Sequence, residues 1–303
     1  MSPPVPRAVR RTFLILHNPL SGRDRTRYLA AVLDTLGAAG ATVTVEAPAE
    51  FSRIAARAAE ARATATYDAI VAAGGDGTIR SVAGALAGTP TPLGVIPLGT
   101  ANVLAAELRL PRSPGEIART LLHGGETTIG CGLANGAPFL LMAGAGFDAA
   151  VLARLDHAWK HKVGKLAYLG PGLGALMQRP RRFEALMDGR PRACTWLIVA
   201  NAGRYAGSFL LAPGRDIAAQ GFDAVVVTAP TRARLLGVLL AIAAGRTTFT
   251  GDAEIIQCRE VEVPAAARIP IQIDGDLASA SALHIAPAKV PLTLIVPERP
   301  RTA

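Results

Sequence analysis

Three short loops contain the residue types that bind phosphate groups in proteins. They span residues 17–22 (HNPLSG), 74–78 (GGDGT) and 97–102 (PLGTAN), and each combines glycine with amide or hydroxyl side chains. Glycine lets backbone N–H groups approach a phosphate closely because it has no Cβ. One such loop is as easily a plain turn, but three of them favour a nucleotide site.

Asp76, in the middle loop, places a carboxylate among groups that attract anions. This position makes sense if Mg²⁺ or a substrate hydroxyl binds there, so we assign Asp76 to catalysis or to the metal. The sequence has no GxxxxGK[ST] loop and no GxGxxG after its first strand. Neither common nucleotide fingerprint therefore explains these loops.

The loops follow apolar segments that have the length and composition of β-strands. Strands are predicted at 12–16, 41–45, 68–73 and 93–96, and helices at 25–36, at 51–63 and from the middle loop to Leu86. Such alternation predicts a parallel sheet with helices on both faces. Ligands of open sheets of this kind bind at the carboxyl ends of the strands, where the three loops lie.

The second half of the chain has a different pattern, which predicts mostly antiparallel β-structure. Asn135–Gly136 and Asp188–Gly189 lie between apolar runs, as in tight hairpins. Strands are predicted at 193–200, 223–228, 253–257, 261–263 and 269–273, and helices at 151–159, 165–177 and 232–243. We therefore expect domains at 1–128 and 129–288, with a final strand within 289–303 that could return to the first domain.

Composition restricts the class of protein and its partners. Hydrophobic residues make up 50% and charged residues 18% of the 303 positions, which is typical of a globular chain. The net charge is +9, and residues 154–192 hold nine basic and three acidic side chains. Such a stretch is either a solvated surface or a contact for an anionic membrane. We expect no nucleic-acid partner.

Three cysteines stand far apart, at positions 131, 194 and 258, and no CxxC pair exists. Reduced thiols in a cytosolic protein explain this pattern most simply. The longest strongly apolar run, residues 235–244, is too short to span a bilayer. We expect a cytoplasmic protein that associates peripherally with membranes; the sequence does not determine its oligomeric state.

Taken in order, the motifs resemble those of the diacylglycerol kinase catalytic domain family, which includes bacterial lipid kinases and the sphingosine and ceramide kinases. The resemblance begins with Asn18-Pro19-x-Ser21-Gly22 and the other two loops. It continues through residues 144–149 (GAGFDA), 201–213 and 273–276 (IDGD), and so covers about residues 12 to 297. The ordered set is specific, whereas GGDGT alone is shared with NAD kinases and phosphofructokinases.

The resemblance implies an α/β fold with two domains. An N-terminal doubly wound nucleotide domain, similar to that of NAD kinases, precedes a mostly antiparallel β-sandwich-like domain, and ATP and lipid meet in the cleft. Asp276 stands where the family has its catalytic glutamate, the proposed proton acceptor. The implied nucleotide-binding residues are Asn18, Thr44, Gly74, Gly75, Asp76, Gly77, Thr78, Ile79, Arg80, Gly99, Thr100 and Asn102.

Three positions depart from the family pattern. Arg80 replaces the asparagine usual after GGDGT-x, and Asp276 is one methylene shorter than the family's glutamate. Gln220 stands where the second lobe of the family has a magnesium-binding aspartate, with positions 217 and 222 contributing backbone carbonyls. Asp216 is the nearest carboxylate, so Asp216 and Gln220 are the candidate metal residues.

These observations predict a kinase that transfers the γ-phosphate of ATP to a lipid hydroxyl, with Mg²⁺ as cofactor and Asp276 and Asp76 as catalytic residues. The acceptor is expected to be diacylglycerol-like or sphingoid. Two alternatives stand beside this one. The first is a kinase with a soluble acceptor, of the NAD kinase type. The second is a catalytically weakened protein that binds lipid or nucleotide, which Arg80, Gln220 and Asp276 would explain.

Overall fold

The chain folds into two compact units. A computed structural model describes residues 9–21, 25–155, 169–207 and 209–298. The first unit comprises residues 1–129 together with 290–303, and the second comprises residues 130–289. The C-terminal strand therefore belongs to the first unit, although the whole second unit precedes it in the chain.

A six-stranded sheet forms the centre of the first unit. Its strands, numbered along the chain, are β1 (Thr12–His17), β2 (Thr42–Glu46), β3 (Ala69–Gly74), β4 (Leu93–Pro97), β5 (Gly125–Ile129) and β20 (Leu292–Val296). Their order is β2-β1-β3-β4-β20-β5. In this spatial order, all neighbouring strands from β2 to β20 are parallel, whereas β5 at the edge pairs antiparallel with β20.

Helices cover both faces of this sheet, which confirms the predicted doubly wound fold. The helices are α1 (Thr26–Ala38), α2 (Ser52–Thr64), α3 (Asp76–Leu86), α4 (Val103–Glu107) and α5 (Pro114–His123). On one face, α1 and α5 pack against each other, and their apolar residues join Phe13, Ile15 and Val71 in one core. On the other face, α2 packs against α3. Because both faces are covered, the central residues of β1 and β3 are all fully buried.

The second unit is a sandwich of two antiparallel sheets, as predicted. One sheet contains, in spatial order, β10 (Arg190–Cys194), β9 (Phe183–Met187), β16 (Val261–Val263), β19 (Leu283–Pro287), β6 (Gly132–Ala134) and β7 (Ala137–Phe139). The other contains β15 (Ala253–Cys258), β14 (Phe222–Val227), β11 (Trp196–Ala200), β8 (Met142–Ala145), β17 (Ile271–Ile273) and β18 (Asp276–Ala278). Residues of both sheets form one core, in which the rings of Phe139 and Phe222 stack at 5.6 Å. Two further short strands, β12 (Arg204–Tyr205) and β13 (Phe209–Leu210), pair with each other.

Three helices are described in this unit: α6 (Phe147–Leu152), α7 (Leu169–Leu176) and α8 (Arg232–Ala243). The helices predicted at 151–159 and 165–177 extend beyond the described residues, as does much of the basic stretch 154–192. Along the described segments, no helix is long and apolar enough to cross a bilayer.

Tight turns join several of the antiparallel strands. Both predicted hairpins are present, because Asn135–Gly136 and Asp188–Gly189 have positive φ angles, as a type I′ turn requires. A third turn of this kind, Asp274–Gly275, with φ angles of 49° and 83°, joins β17 to β18. The turn residues therefore fix the register of three strand pairs.

The single strand predicted at 193–200 is wrong, because the chain changes sheets there. β10 ends at Cys194 in one sheet, and β11 begins at Trp196 in the other. Between them, the Thr195 amide and hydroxyl both donate to the Val227 carbonyl, at 2.7 and 3.1 Å. These bonds hold the crossing residue against β14, so a continuous apolar run serves both layers.

All three cysteines are buried and unpaired. Burial raises the pKa of the Cys131 thiol to about 11 and those of Cys194 and Cys258 to about 12. The three side chains are therefore protonated at neutral pH and serve as core residues.

Candidate functional site

The first two glycine-rich loops are joined by hydrogen bonds at the carboxyl ends of β1 and β3. The Asn18 side-chain amide donates to the Thr78 hydroxyl at 3.1 Å. Ser21 contributes a second link, because its hydroxyl accepts from the Gly75 amide at 3.3 Å and lies 3.4 Å from the Thr78 hydroxyl. Thr78 itself is buried. Loops that are far apart in sequence thus form one structure.

The third loop touches the second at a pair of glycines. A Cβ on Gly99 would stand 2.5 Å from the Gly75 Cα and 2.8 Å from the Asn102 side-chain oxygen. Real Cβ atoms do not approach backbone atoms this closely, so the two loops can adjoin only with glycine at position 99. The Leu98 amide also donates to the Gly74 carbonyl at 2.9 Å.

Asp76 holds the third loop in place. One carboxylate oxygen accepts from the Val103 amide and the other from the Leu104 amide, each at 3.1 Å. These are the first amides of α4, which lack acceptors within their own helix. The observed contacts of Asp76 therefore make it an N-terminal cap for a neighbouring helix, reached from the first position of α3.

Asn102 adopts a left-handed conformation, with φ of 47°, immediately before α4. Its side-chain NH₂ donates to the Gly99 carbonyl at 2.8 Å. Its side-chain oxygen is buried and has no hydrogen-bond partner within the described part of the chain. A buried acceptor without a donor carries a desolvation cost, which the structure accepts here to keep Asn102 packed against Gly99.

The start of α3 lies in the same cluster. Gly75 precedes the helix in an extended conformation, and Asp76 and Gly77 begin it. The first amides of a helix carry partial positive charge and bind phosphate readily. The arrangement as a whole is a set of glycine-lined backbone amides beside hydroxyl and amide side chains, which is suited to a polyphosphate.

Other predicted nucleotide residues take no part in the contacts described above. Thr44 is the third residue of β2, level with Leu14, and the strand continues to Glu46 instead of ending at Thr44. Ile79 is fully buried in the core, and Arg80 lies half-buried in α3. Thr100 is exposed in the third loop. The contacts described above join Asn18, Gly74, Gly75, Asp76, Thr78, Gly99 and Asn102.

Asp276, in the second unit, is exposed at the start of β18 opposite Ile273. Asp274, within the turn that precedes it, accepts from the amides of Leu140, Leu141 and Met142 at 2.9–3.0 Å. The turn is thereby fixed to the segment that enters β8. Asp274 is structural, whereas the Asp276 side chain is accessible to a substrate.

A buried pair beneath this turn was not identified from the sequence. The Gln272 side-chain NH₂ donates to the Asp148 carboxylate at 2.9 Å, and its oxygen accepts from the Gly275 amide at 2.9 Å. Burial raises the pKa of Asp148 to about 6, while hydrogen bonds from Ala149 and Gln272 act in the opposite direction. In the sequence, the position of Asp148 directly after residues 144–147 (GAGF), within an apolar segment, could have indicated this pair.

The two candidate metal residues lie in the loop that precedes β14. Asp216 and Gln220 are both exposed, and one Asp216 carboxylate oxygen accepts from the Ala218 amide at 2.9 Å. Across the ranges that the structure describes, no group of three or more His, Cys, Asp or Glu side chains is positioned to hold a metal ion.

Comparison with known proteins agrees with this geometry. Residues 12–134 match the diacylglycerol kinase catalytic domain, and residues 142–296 match the YegS C-terminal NAD kinase beta sandwich-like domain. The two matched models lie on the two halves of the chain. The chain belongs to the diacylglycerol kinase catalytic domain family.

Individual relatives agree with this assignment. A protein named diacylglycerol kinase from Bacillus subtilis is 32% identical over 86% of this chain and 88% of its own length. An uncharacterized Synechocystis protein is 34% identical over 52% of this chain, a match that covers 35% of that protein's length. A crystal structure assigned as a diacylglycerol kinase from Bacillus anthracis shares the fold, with a TM-score of 0.78 at 20% identity and 98% coverage of both chains.

Proposed function

We propose that this protein is an ATP-dependent lipid kinase that transfers the γ-phosphate of ATP to a lipid hydroxyl. The observation that carries the proposal is the contact of Gly75 with Gly99 within a cluster of three strand-end loops. A plain turn does not require two backbones to meet this closely.

In this proposal the first unit binds the triphosphate. The amides at the start of α3 and the side chain of Asn18 bind phosphate oxygens, while buried Thr78 and Asn102 hold the loops in place through their bonds to Asn18 and Gly99. Mg²⁺ that arrives with ATP neutralises the negative charge that phosphoryl transfer must stabilise. Asp76 acts through position: its two oxygens fix α4, and so it keeps the third loop beside the second.

Asp276 is the proposed general base. Its exposed carboxylate accepts the proton of the lipid hydroxyl as the hydroxyl oxygen bonds to the γ-phosphorus and ADP departs with the electrons of the broken P–O bond. The Asp274–Gly275 turn holds this side chain in place, because Asp274 is bonded to three amides and Gln272 binds the Gly275 amide. Aspartate is one methylene shorter than glutamate. The Asp276 carboxylate therefore reaches the hydroxyl either through one bridging water or because its backbone lies closer to the substrate.

The acceptor we propose is diacylglycerol-like, because the Bacillus subtilis relative carries the name diacylglycerol kinase. Sphingoid lipids present the same chemistry, a hydroxyl next to an apolar tail, and remain the second candidate.

A face of the second unit is suited to an anionic membrane, where such an acceptor resides. It consists of neighbouring elements, since α7 contacts α8 and α8 contacts β13. Large apolar side chains are exposed along it: Leu173, Met177, Phe209, Leu210, Leu236, Leu240 and Phe249. Exposed apolar side chains concentrated on adjoining elements mark an interaction surface rather than ordinary surface composition.

The charge of this face indicates which kind of partner it fits. The segments 169–182, 204–210 and 229–251 contain seven arginines and no aspartate or glutamate. Of these, Arg234 is paired with Asp252 at 2.7 Å, and Arg246 lies over the Phe249 ring at 6.0 Å. Apolar side chains flanked by arginines fit a bilayer with anionic headgroups. We therefore propose peripheral contact with an anionic membrane through this face.

An ATP turnover assay with three acceptor conditions tests the proposal. Purified protein is given ATP and Mg²⁺ with diacylglycerol-containing vesicles, with NAD, or with no acceptor. Turnover that requires the vesicles supports a lipid kinase. Turnover with NAD alone would instead identify a soluble acceptor, and no turnover in any condition with intact ATP binding would identify a binding protein.

A further inference from the structure

A buried arginine occupies the centre of the loop that precedes β14. The Arg215 side chain is 5% exposed. Its guanidinium donates to the backbone carbonyls of Asn201 at 3.2 Å, of Ala219 at 3.0 Å and of Gly221. It also lies 4.0 Å from a carboxylate oxygen of Asp223, whose side chain is 11% exposed. Backbone carbonyls and one carboxylate therefore surround a single positive charge.

This is the loop in which the family resemblance led us to expect a divalent cation. The residues present do not fit one. Gln220 is neutral and exposed, and Asp216 bonds to an amide of its own loop. The guanidinium donates to the carbonyls of Ala219 and Gly221, which flank Gln220, so a positive charge already lies beside the position where the family has its metal-binding aspartate. Mg²⁺ requires six oxygen ligands in octahedral geometry, and a cation placed beside a buried guanidinium is repelled by it.

We propose that Arg215 is the resident cation of this loop and takes the structural place of a metal ion. Its charge is permanent, and its planar group carries five donors, so it can bind several carbonyls at once. Asp223, at the start of β14, balances the charge. Asn201 is itself anchored, because its side-chain NH₂ donates to the carbonyls of Gly130 at 2.9 Å and Leu140 at 2.8 Å.

The consequence is that the second unit folds without a divalent metal at this loop. The guanidinium joins the end of β11, the loop at 214–221 and the beginning of β14, three segments that a bound cation would otherwise connect. This inference concerns stability and does not depend on the kinase activity proposed above.

Thermal unfolding of the full chain tests this inference without any assay of activity. Protein dialysed against EDTA and protein given excess Mg²⁺, both without nucleotide, should unfold at the same temperature. A fall in Tm after EDTA treatment would overturn the proposal, because it would reveal a bound structural metal.

Substitution gives the second arm of the test. Arg215→Met keeps the apolar stem and removes the charge, and it should lower Tm by about 5–15 °C, because it leaves a buried carboxylate without its partner. Arg190→Met, at an exposed position of β10, is the matched control and should leave Tm unchanged. If Arg215→Met does not fold, Arg215→Lys keeps the charge with fewer donors and should show a smaller loss. A wild-type Tm in either Arg215 variant would contradict the proposal.

Discussion

Gly99 lies against Gly75 so closely that a Cβ at position 99 would stand 2.5 Å from the Gly75 Cα. The two residues follow the ends of the neighbouring parallel strands β3 and β4, so their contact joins two loops into one surface. Nothing but hydrogen fits between them, and the proposed phosphate site depends on that approach.

Gly99→Ala should therefore separate the second and third loops and weaken ATP binding by about tenfold or more, which corresponds to 1.4 kcal/mol or more. Isothermal titration calorimetry measures the loss. Gly115→Ala is the matched control, because a Cβ there meets no atom within 4 Å and ATP affinity should not change. Wild-type affinity in Gly99→Ala would show that the contact is irrelevant to the nucleotide.

Asp76→Asn separates a positioning role from a chemical one. Asparagine keeps the shape but turns an NH₂ group towards one of the two α4 amides, leaving that amide without an acceptor. We expect the free energy of unfolding to fall by about 1–3 kcal/mol and ATP affinity to fall with it. Urea denaturation checks the first expectation, with the exposed Asp34→Asn in α1 as control. Unchanged stability combined with lost turnover would instead indicate a direct chemical role.

Asp148 should give the protein a pH-dependent stability. Its pKa is raised from 3.8 to about 6 in the folded state, so the folded chain retains a proton that the unfolded chain releases. The contribution of Asp148 to the free energy of unfolding is therefore largest below about pH 4 and falls as the pH rises towards 6. The total change from this group is roughly 3 kcal/mol. Above that range the contribution is constant.

Asp148→Asn cannot titrate, and it isolates this contribution from all others. The difference in unfolding free energy between the two proteins should shift in favour of the variant between about pH 4 and about pH 6.5, then level off. Parallel stability curves across this range would mean that Asp148 has no raised pKa.

The proposed membrane face can be tested at two of its most exposed side chains. Leu240 is 62% and Phe249 75% exposed, so Leu240→Ser with Phe249→Ser should leave folding intact. Because a buried apolar side chain is worth about 1.5–3 kcal/mol, the double variant should bind anionic vesicles at least tenfold less well in a sedimentation assay.

Val9→Ser, at an exposed apolar position of the first unit, should bind such vesicles like the wild type. Added salt should weaken binding, since arginines contribute to it. Equal sedimentation of wild-type protein with anionic and neutral vesicles would count against the face.

The sequence was sufficient to predict the fold because local patterns and tertiary structure agree. Buried parallel strands appear as short apolar runs, and Asn-Gly and Asp-Gly pairs supply the positive φ angles that tight turns require. β20 was predicted as a strand at its observed bounds, but its place between β4 and β5 depends on pairing with residues more than 150 positions earlier.

Long-range hydrogen bonds explain what the sequence did not reveal. Asp76 was identifiable as an unusual carboxylate, but its partners, Val103 and Leu104, lie 27 and 28 residues away. Thr195 interrupts an apolar run only because Val227, 32 residues later, accepts both of its hydrogen bonds. The sequence does not distinguish Arg215 from a surface arginine, because the carbonyls that it binds are brought together only in the folded loop.

We propose that ATP phosphorylates a lipid and that Asp276 takes the proton from the acceptor. The most direct measurement follows label from the γ-phosphate of radiolabelled ATP into chromatographed lipid, with wild type, Asp276→Asn and the exposed control Glu262→Gln compared on diacylglycerol vesicles. We expect labelled lipid from wild type and from Glu262→Gln, and none from Asp276→Asn. The ATP affinity of Asp276→Asn should be unchanged, because the first unit holds the triphosphate in the proposed mechanism. Label transfer by Asp276→Asn at the wild-type rate would contradict the role of Asp276, and absence of labelled lipid with the wild-type protein would contradict lipid phosphorylation itself.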